Sequence, residues 1–209
     1  MRQKKHRTLR EQIVSSLRES IIRGDLAPGQ KVPEPGLAQK LGISRTPIRE
    51  AFRQLESEGF LTAVPRRGAI VSSMSEKEIE DFYEVKSLLE GYAVRKGAPW
   101  ATEKDTDHLR RMNEQLEALA RKGDIEAFFW KNQEFHHGFV SLCGNRKLPE
   151  IWRNLTRLFI RYRMEYLAAP GRLALSVKQH ADIINALESG DGALSEAMVV
   201  KHSMERSHG

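Results

Sequence analysis

Residues Leu37–Glu56 read LAQKLGISRTPIREAFRQLE. Two short helical patterns are separated here by a tight turn at Gly42, and the second sets Arg45, Arg49 and Arg53 on one face and Ile48, Phe52 and Leu55 on another. Residues four apart lie over one another on a helix, so the three arginines form a ladder of about the width of a DNA groove while the apolar face packs inward. A paired-helix pattern with a cationic second helix predicts a helix-turn-helix and a double-stranded DNA partner.

Working outward, Leu9, Ile13, Leu17 and Ile21 recur every four residues, which predicts an amphipathic helix over 8–23, ended by Gly24 and Pro28-Gly29. Pro33 and Pro35 suit a helix entry, so the second helix is expected over 34–41, stopping at Gly42. Ser44 is a good N-cap for the third, with Pro47 in its first turn and Gly59 closing it. After Gly59, FLTAV and AIVSS have strand composition around a Pro65-Arg66-Arg67-Gly68 turn, which reads as a β-hairpin wing with arginines at its tip. Residues 8–75 are therefore expected to form a winged helix-turn-helix, preceded by a basic, frayed tail over 1–7.

From Glu76 onward the signals are helical, with breaks near Pro99, Gly123, Gly144-Asn145, Pro170-Gly171 and Gly190. Six helices are expected, over 76–97, 103–122, 125–142, 148–168, 172–189 and 192–202, as an all-α antiparallel bundle occupying 76–209. The fold class is thus mainly α. Charge divides at the same place: 14 Lys and Arg face 7 Asp and Glu up to Ser75, against 20 and 21 beyond it. A basic module joined to a nearly neutral one suits a nucleic-acid reader with a separate control domain, because phosphate neutralisation supplies most sequence-independent affinity. The lone Cys143 cannot form an internal disulfide, no apolar run nears the roughly 20 residues of a membrane helix, and MRQKKHRTLREQ is not followed by a signal-peptide core. These features predict a cytoplasmic protein with no membrane partner.

Within the bundle, Asn132 and His136 lie four apart on one helix face, and His180 and His202 follow on later helices. Neutral imidazoles with one oxygen donor make a plausible divalent-metal site, but scattered histidines are also often unrelated polar residues. Arg153, Arg157, Arg161 and Arg163 alternate with Trp152, Leu155, Leu158, Phe159 and Ile160. The apolar members fit a core stripe, which leaves most of the arginines on the surface, with Arg157 and Arg161 as candidates to line an effector cavity. Trp100, Trp130 and Phe128-Phe129 read as core.

GDLAPGQ, LAQKLGISRTPIREAFRQLESEGFL and PRRGAIV, within Ile22–Val71, resemble the amino-terminal domain of the GntR family of bacterial transcription regulators. The resemblance implies base or phosphate contacts from Arg45 and Arg49, with help from Ser44, Thr46 and the wing tip Arg66, Arg67 and Gly68; Arg53, two turns from the helix start, is expected to meet phosphate or solvent rather than a base. This chain has Pro35-Gly36 before Leu37, which argues against a contact from the second helix. NQEFHHGFV and KQHADIINALESGDGALSEAMVVKH are similar to the signature of the FCD group, the FadR-like branch of that family. That likeness implies a divalent metal held by Asn132, His136, His180 and His202, with zinc first and nickel, manganese or iron also compatible. YEVKSLLEGYA resembles a segment that usually carries an arginine four residues before a glutamate, here Lys86 and Glu90. Lysine loses the bidentate fork that suits a carboxylate, so an effector contact from Lys86 would differ in geometry.

The expected function is a ligand-responsive transcription regulator, repressor or activator, that binds a palindromic DNA operator as a homodimer and is controlled by a small carboxylate near the metal. The competing readings are a metal-dependent enzyme fused to a DNA-binding domain and a regulator whose metal is purely structural. The enzyme reading has little to build on, since the HExxH pattern and Gly-rich phosphate loops are absent and no acid or base is placed at the ligands except Glu134, on another face.

Overall fold

The computed structural model describes residues 8–64 and 68–205, so the basic tail and the wing-tip arginines Arg66 and Arg67 lie outside the described residues. Two compact units are present: residues up to Met74 with Arg157–Arg161, and Ser75–Thr156 with the residues from Tyr162 onward.

In the first unit, α1 (Leu9–Ile22) starts at a capping box in which Thr8 accepts from Glu11 N–H and Glu11 reaches back to Thr8 N–H. It buries Ile13, Val14, Leu17 and Ile21. Helix α2 (Glu34–Leu41) ends at Gly42, whose φ of 65° is the left-handed conformation that reverses the chain before the next helix. Helix α3 (Arg45–Ser57) buries Ile48, Ala51, Phe52 and Leu55. Burial of each large apolar side chain stabilises the unit by roughly 1.5–3 kcal/mol. Ser44 occupies the N-cap position but makes no side-chain cap bond.

The sheet departs from the expected two-stranded hairpin. Strands β2 (Leu61–Val64) and β3 (Gly68–Val71) pair antiparallel, and a short β1 (Lys31–Val32) adds to the other edge of β3, with Val32 opposite Ala69. A two-residue strand next to two prolines has no alternation long enough to read from sequence. Beneath this layer, Arg18 of α1 donates to Glu58 at 2.8 Å with both side chains buried, and Gln54 donates to the other oxygen of Glu58 at 3.0 Å.

The second unit comprises α4 (Glu76–Gly97), a 3-10 turn over Ala98–Trp100, α5 (Glu103–Lys122), α6 (Ile125–Ser141), α9 (Arg172–Glu188) and α10 (Gly192–Met204), with α7 (Leu148–Arg157) up to Thr156 and α8 (Ile160–Ala168) from Tyr162. Ser75 with Glu78 and Thr102 with Asp105 cap α4 and α5 by reciprocal boxes. Helix α4 packs on α10 and α6, and α5 on α6 and α9, which puts the centre of the bundle among α4, α6, α9 and α10.

Three expectations are corrected. The single helix expected over 148–168 is two, broken at Leu158-Phe159, where no glycine or proline marks the break. The break falls two residues after Thr156, whose hydroxyl donates to the Arg153 carbonyl at 3.3 Å. Trp100, expected in the core, is 80% exposed, and Trp130 is also partly open, whereas Phe128 and Phe129 are fully buried. Arg163, expected on the surface, is buried, with its guanidinium 5.2 Å from the Phe129 ring centroid, and Arg161, a candidate to line an effector cavity, is buried as well. Among the described residues no helix is long and apolar enough to cross a membrane.

Candidate DNA-reading face and histidine cluster

On α3, the inward packing of Ile48, Phe52 and Leu55 forces the opposite face outward. Ser44, Arg45, Thr46, Arg49 and Arg53 are all exposed. Arg45, Arg49 and Arg53 border a groove of about 730 Å³ whose other walls include Pro33, Glu34 and Gly68. Gly68 opens β3 at φ 100°, and a Cβ there would sit 2.6 Å from the Val32 carbonyl oxygen, so the close strand approach beside the wing requires glycine. One member of this face was not foreseen: Glu34 at the start of α2, whose Oε1 lies 2.8 Å from Arg49 Nε. Only the folded turn brings the two together, so no sequence pattern points to the pair.

The second unit brings the three predicted histidines together. His136 on α6, His180 on α9 and His202 on α10 are buried, and a ring nitrogen of each lies within 4.8 Å of those of the others. Each ring is oriented through Nδ1. His136 Nδ1 meets Glu90 Oε1 at 2.9 Å, His180 Nδ1 meets Asn113 Oδ1 at 3.2 Å, and His202 Nδ1 meets Gln179 Oε1 at 2.7 Å. The two amides cannot be flipped without loss, because Asn113 Nδ2 donates to the Val177 carbonyl and Gln179 Nε2 to Glu205. Oxygen acceptors at Nδ1 place the proton there in the neutral ring and direct the Nε2 lone pair inward.

His136 Nε2 and His202 Nε2 consequently approach to 3.3 Å. Two facing lone pairs repel unless a cation is shared, and 3.3 Å is about the separation of two nitrogens each ~2.05 Å from a tetrahedral ion. Asn132, one helical turn before His136, is fully buried, with neither Oδ1 nor Nδ2 hydrogen-bonded among the described residues. An orphaned amide costs stability unless it has a partner. An oxygen donor beside three imidazoles is the chemistry a divalent metal accepts, so the residues present fit such an ion. Ser176 Oγ lies 3.4 Å from His180 Nε2.

Glu90 anchors this arrangement. Its Oε2 accepts from Lys86 at 2.5 Å and Ser203 at 2.8 Å, and its Oε1 from Trp152 at 2.8 Å in addition to His136. Burial by itself pushes the Glu90 carboxyl up, but Lys86 and then His136 outweigh it and hold the group well below the usual carboxylate range. Lys86 is thus a fully buried partner of Glu90 and Ser203. Arg157 is exposed at the end of α7, and buried Arg161 donates to the Ser72 carbonyl oxygen. Both group with the first unit. His137 stands apart from the triad, accepting from Arg153 at 3.2 Å, and burial followed by the Arg153 charge lowers its pKa.

A winged helix-turn-helix with an outward arginine face, carried on one chain with a helical unit built around buried histidines, defines the class of two-module transcription regulators rather than enzymes. Residues 9–71 match the model of bacterial regulatory proteins of the gntR family, and residues 81–205 match the FCD domain. The chain is 28% identical over 192 residues to the uncharacterized HTH-type transcriptional regulator YdhC of Bacillus subtilis, covering 91% of this chain and 86% of that protein. It is 30% identical over 200 residues to a probable D-xylose utilization operon transcriptional repressor of Paenarthrobacter nicotinovorans, covering 94% and 88%. The solved structure of Escherichia coli McbR/YncC shares the fold with a TM-score of 0.68 at 23% identity, covering 95% of each chain. The protein belongs to the GntR family of transcription regulators, with an FCD domain following its DNA-binding domain.

Proposed function

We propose that the protein is a ligand-responsive repressor. Residues 8–75 read a palindromic operator, and residues 76–209 pair two copies of the chain and bind a small organic acid beside a divalent metal held by Asn132, His136, His180 and His202. The outward face of Ser44, Arg45, Thr46 and Arg49 at the start of α3 carries this reading, since the first residues of a recognition helix are those that reach base edges. Arg53, farther along α3, serves as a phosphate contact. The wing residues Arg66 and Arg67 are proposed for the same backbone role.

Charge favours an anionic effector. Three neutral imidazoles and an amide contribute no negative charge, and Glu90 is already balanced by Lys86. A bound divalent ion there would supply an electrophilic anchor for a carboxylate. Zinc suits the nitrogen-rich set best, with nickel, manganese and iron as competitors. Lys86 acts through Glu90 rather than by touching the acid. The relative from P. nicotinovorans, named as a sugar-operon repressor, supports negative control of a catabolic operon.

Duplexes selected from a randomised pool by the purified protein test the reading. Arg45→Ala and Arg49→Ala are each expected to lose about 1–3 kcal/mol of specific binding, with relaxed base preference at one position. Unchanged binding by both variants would refute it. A melting screen of the metal-loaded protein with small carboxylates should find one that both raises the melting temperature and releases DNA. Chelator-sensitive stability with no carboxylate response would instead favour a structural metal.

A further inference from the structure

We propose that the groove bounded by α5, α6 and α7 is a second anion site, separate from the histidine centre and suited to a small aromatic carboxylate. The inference depends neither on the metal nor on the DNA-reading function proposed above.

The groove has a volume of about 780 Å³, and Arg111, Trp130, Lys131, His137 and Arg153 are among the side chains on its walls. A space of this order holds a small organic ligand. Helix α6 sets the geometry: it buries Asn132, Phe135 and His136, so Trp130, Lys131 and His137 fall on its outer side. Across the groove, Arg153 of α7 donates from Nη2 to His137 Nε2 at 3.2 Å. A ring nitrogen that accepts carries no proton, so the neutral ring holds its hydrogen on Nδ1 as a donor. Burial, and then the Arg153 charge, lower the His137 pKa and favour that neutral form. Among the described residues no acceptor meets His137 Nδ1 or the remaining N–H groups of Arg153.

Charge separates this groove from an ordinary solvated face. Arg95, Arg110 and Arg121 of the same unit each pair with a carboxylate. Arg111 and Arg153 have no acidic partner among the described residues, and Glu134, the one acid on the described walls, is engaged by Lys131. Two guanidiniums without counter-charge, beside a neutral N–H donor, offer a carboxylate the forked contacts it accepts best. The rest of the wall is apolar. Trp130 is 38% exposed, and Met112 lines the groove beside it. Trp152 lines the groove too but gives its indole N–H to Glu90, so it offers ring carbon and no donor. A flat ring with one negative end matches that division, since aromatic faces stack on aromatic neighbours while the carboxylate meets the arginines.

The test titrates benzoate, acetate and benzyl alcohol into the full chain carrying Trp100→Phe, so that fluorescence comes from Trp130 and Trp152, both on the groove. Circular dichroism and thermal melting confirm that each variant is folded. Benzoate should give a saturable change, and Arg111→Ala with Arg153→Ala should weaken it by about tenfold or more, the worth of a charge-assisted contact. Acetate and benzyl alcohol should each bind more weakly by a similar factor. Chelation of divalent ions, or His202→Ala, should move the benzoate affinity by less than about twofold. No saturable response to millimolar benzoate overturns the proposal, as does full affinity in the double arginine variant. A response that vanishes on chelation and in His202→Ala also overturns it, and places the acid at the histidine centre instead. Acetate or benzyl alcohol binding as well as benzoate refutes the ligand class.

Discussion

Glu90 concentrates four donors on one carboxylate, from Lys86, Trp152, Ser203 and His136, with every partner buried. Removing the balancing cation should be costly, since an uncompensated buried charge destabilises by about 3–5 kcal/mol. Lys86→Met is expected to show a loss of that order in chemical denaturation. A smaller carboxylate effect is expected at Asp105, whose pKa is lowered by side-chain and backbone hydrogen bonds from Thr102. A depressed acid contributes stability that is full above its unfolded value, here 3.8, and is lost as pH falls below it. Thr102→Ala should therefore melt below wild-type at neutral pH, and the two should converge as pH drops through that range, with the Asp105 titration moving up by NMR. The histidines were legible as a set through the likeness of NQEFHHGFV and KQHADIINALESGDGALSEAMVVKH to a known signature, since type and spacing alone left them open to being unrelated polar residues. Their partners Glu90, Asn113 and Gln179 were not, being 46, 67 and 23 residues away and joined only by packing.

Helix α1 is tied to the end of α3 by the buried Arg18–Glu58 pair, with the Arg18 guanidinium 5.7 Å from the Phe60 ring centroid. Arg18→Met strands Glu58 in an apolar setting and is expected to cost about 3–5 kcal/mol, whereas Arg18→Met with Glu58→Leu should recover most of it. Urea unfolding of the two variants measures the difference. At this scale legibility followed punctuation. Helices α2, α4 and α5 fell where prolines, caps and glycines placed them. The α7–α8 break escaped because no glycine or proline marks it and apolar residues run on through Leu158, Phe159 and Ile160. The exposed Trp100 escaped for another reason: apolar character predicts burial only when the fold supplies a neighbour to bury against.

Across the molecule, the boundary between the two units at Met74 and Ser75 falls where net charge changes from strongly basic to near neutral. An ion held by the histidines binds the folded state alone and should stabilise it by about 2.7 kcal/mol at a hundredfold excess over its dissociation constant. Removal of divalent ions by chelation is expected to lower the melting temperature, and zinc to restore it. His202→Ala should show neither response while retaining its helical circular dichroism.

The three histidines lie on α6, α9 and α10, with His136 and His202 separated by 66 residues. During synthesis the first is exposed at the ribosome long before the last exists, so a nascent chain can offer a passing ion only one or two weak donors. Tight capture must wait until α10 has been made and docked on α4. An ion bound at this centre would thus report that the helical unit has been completed.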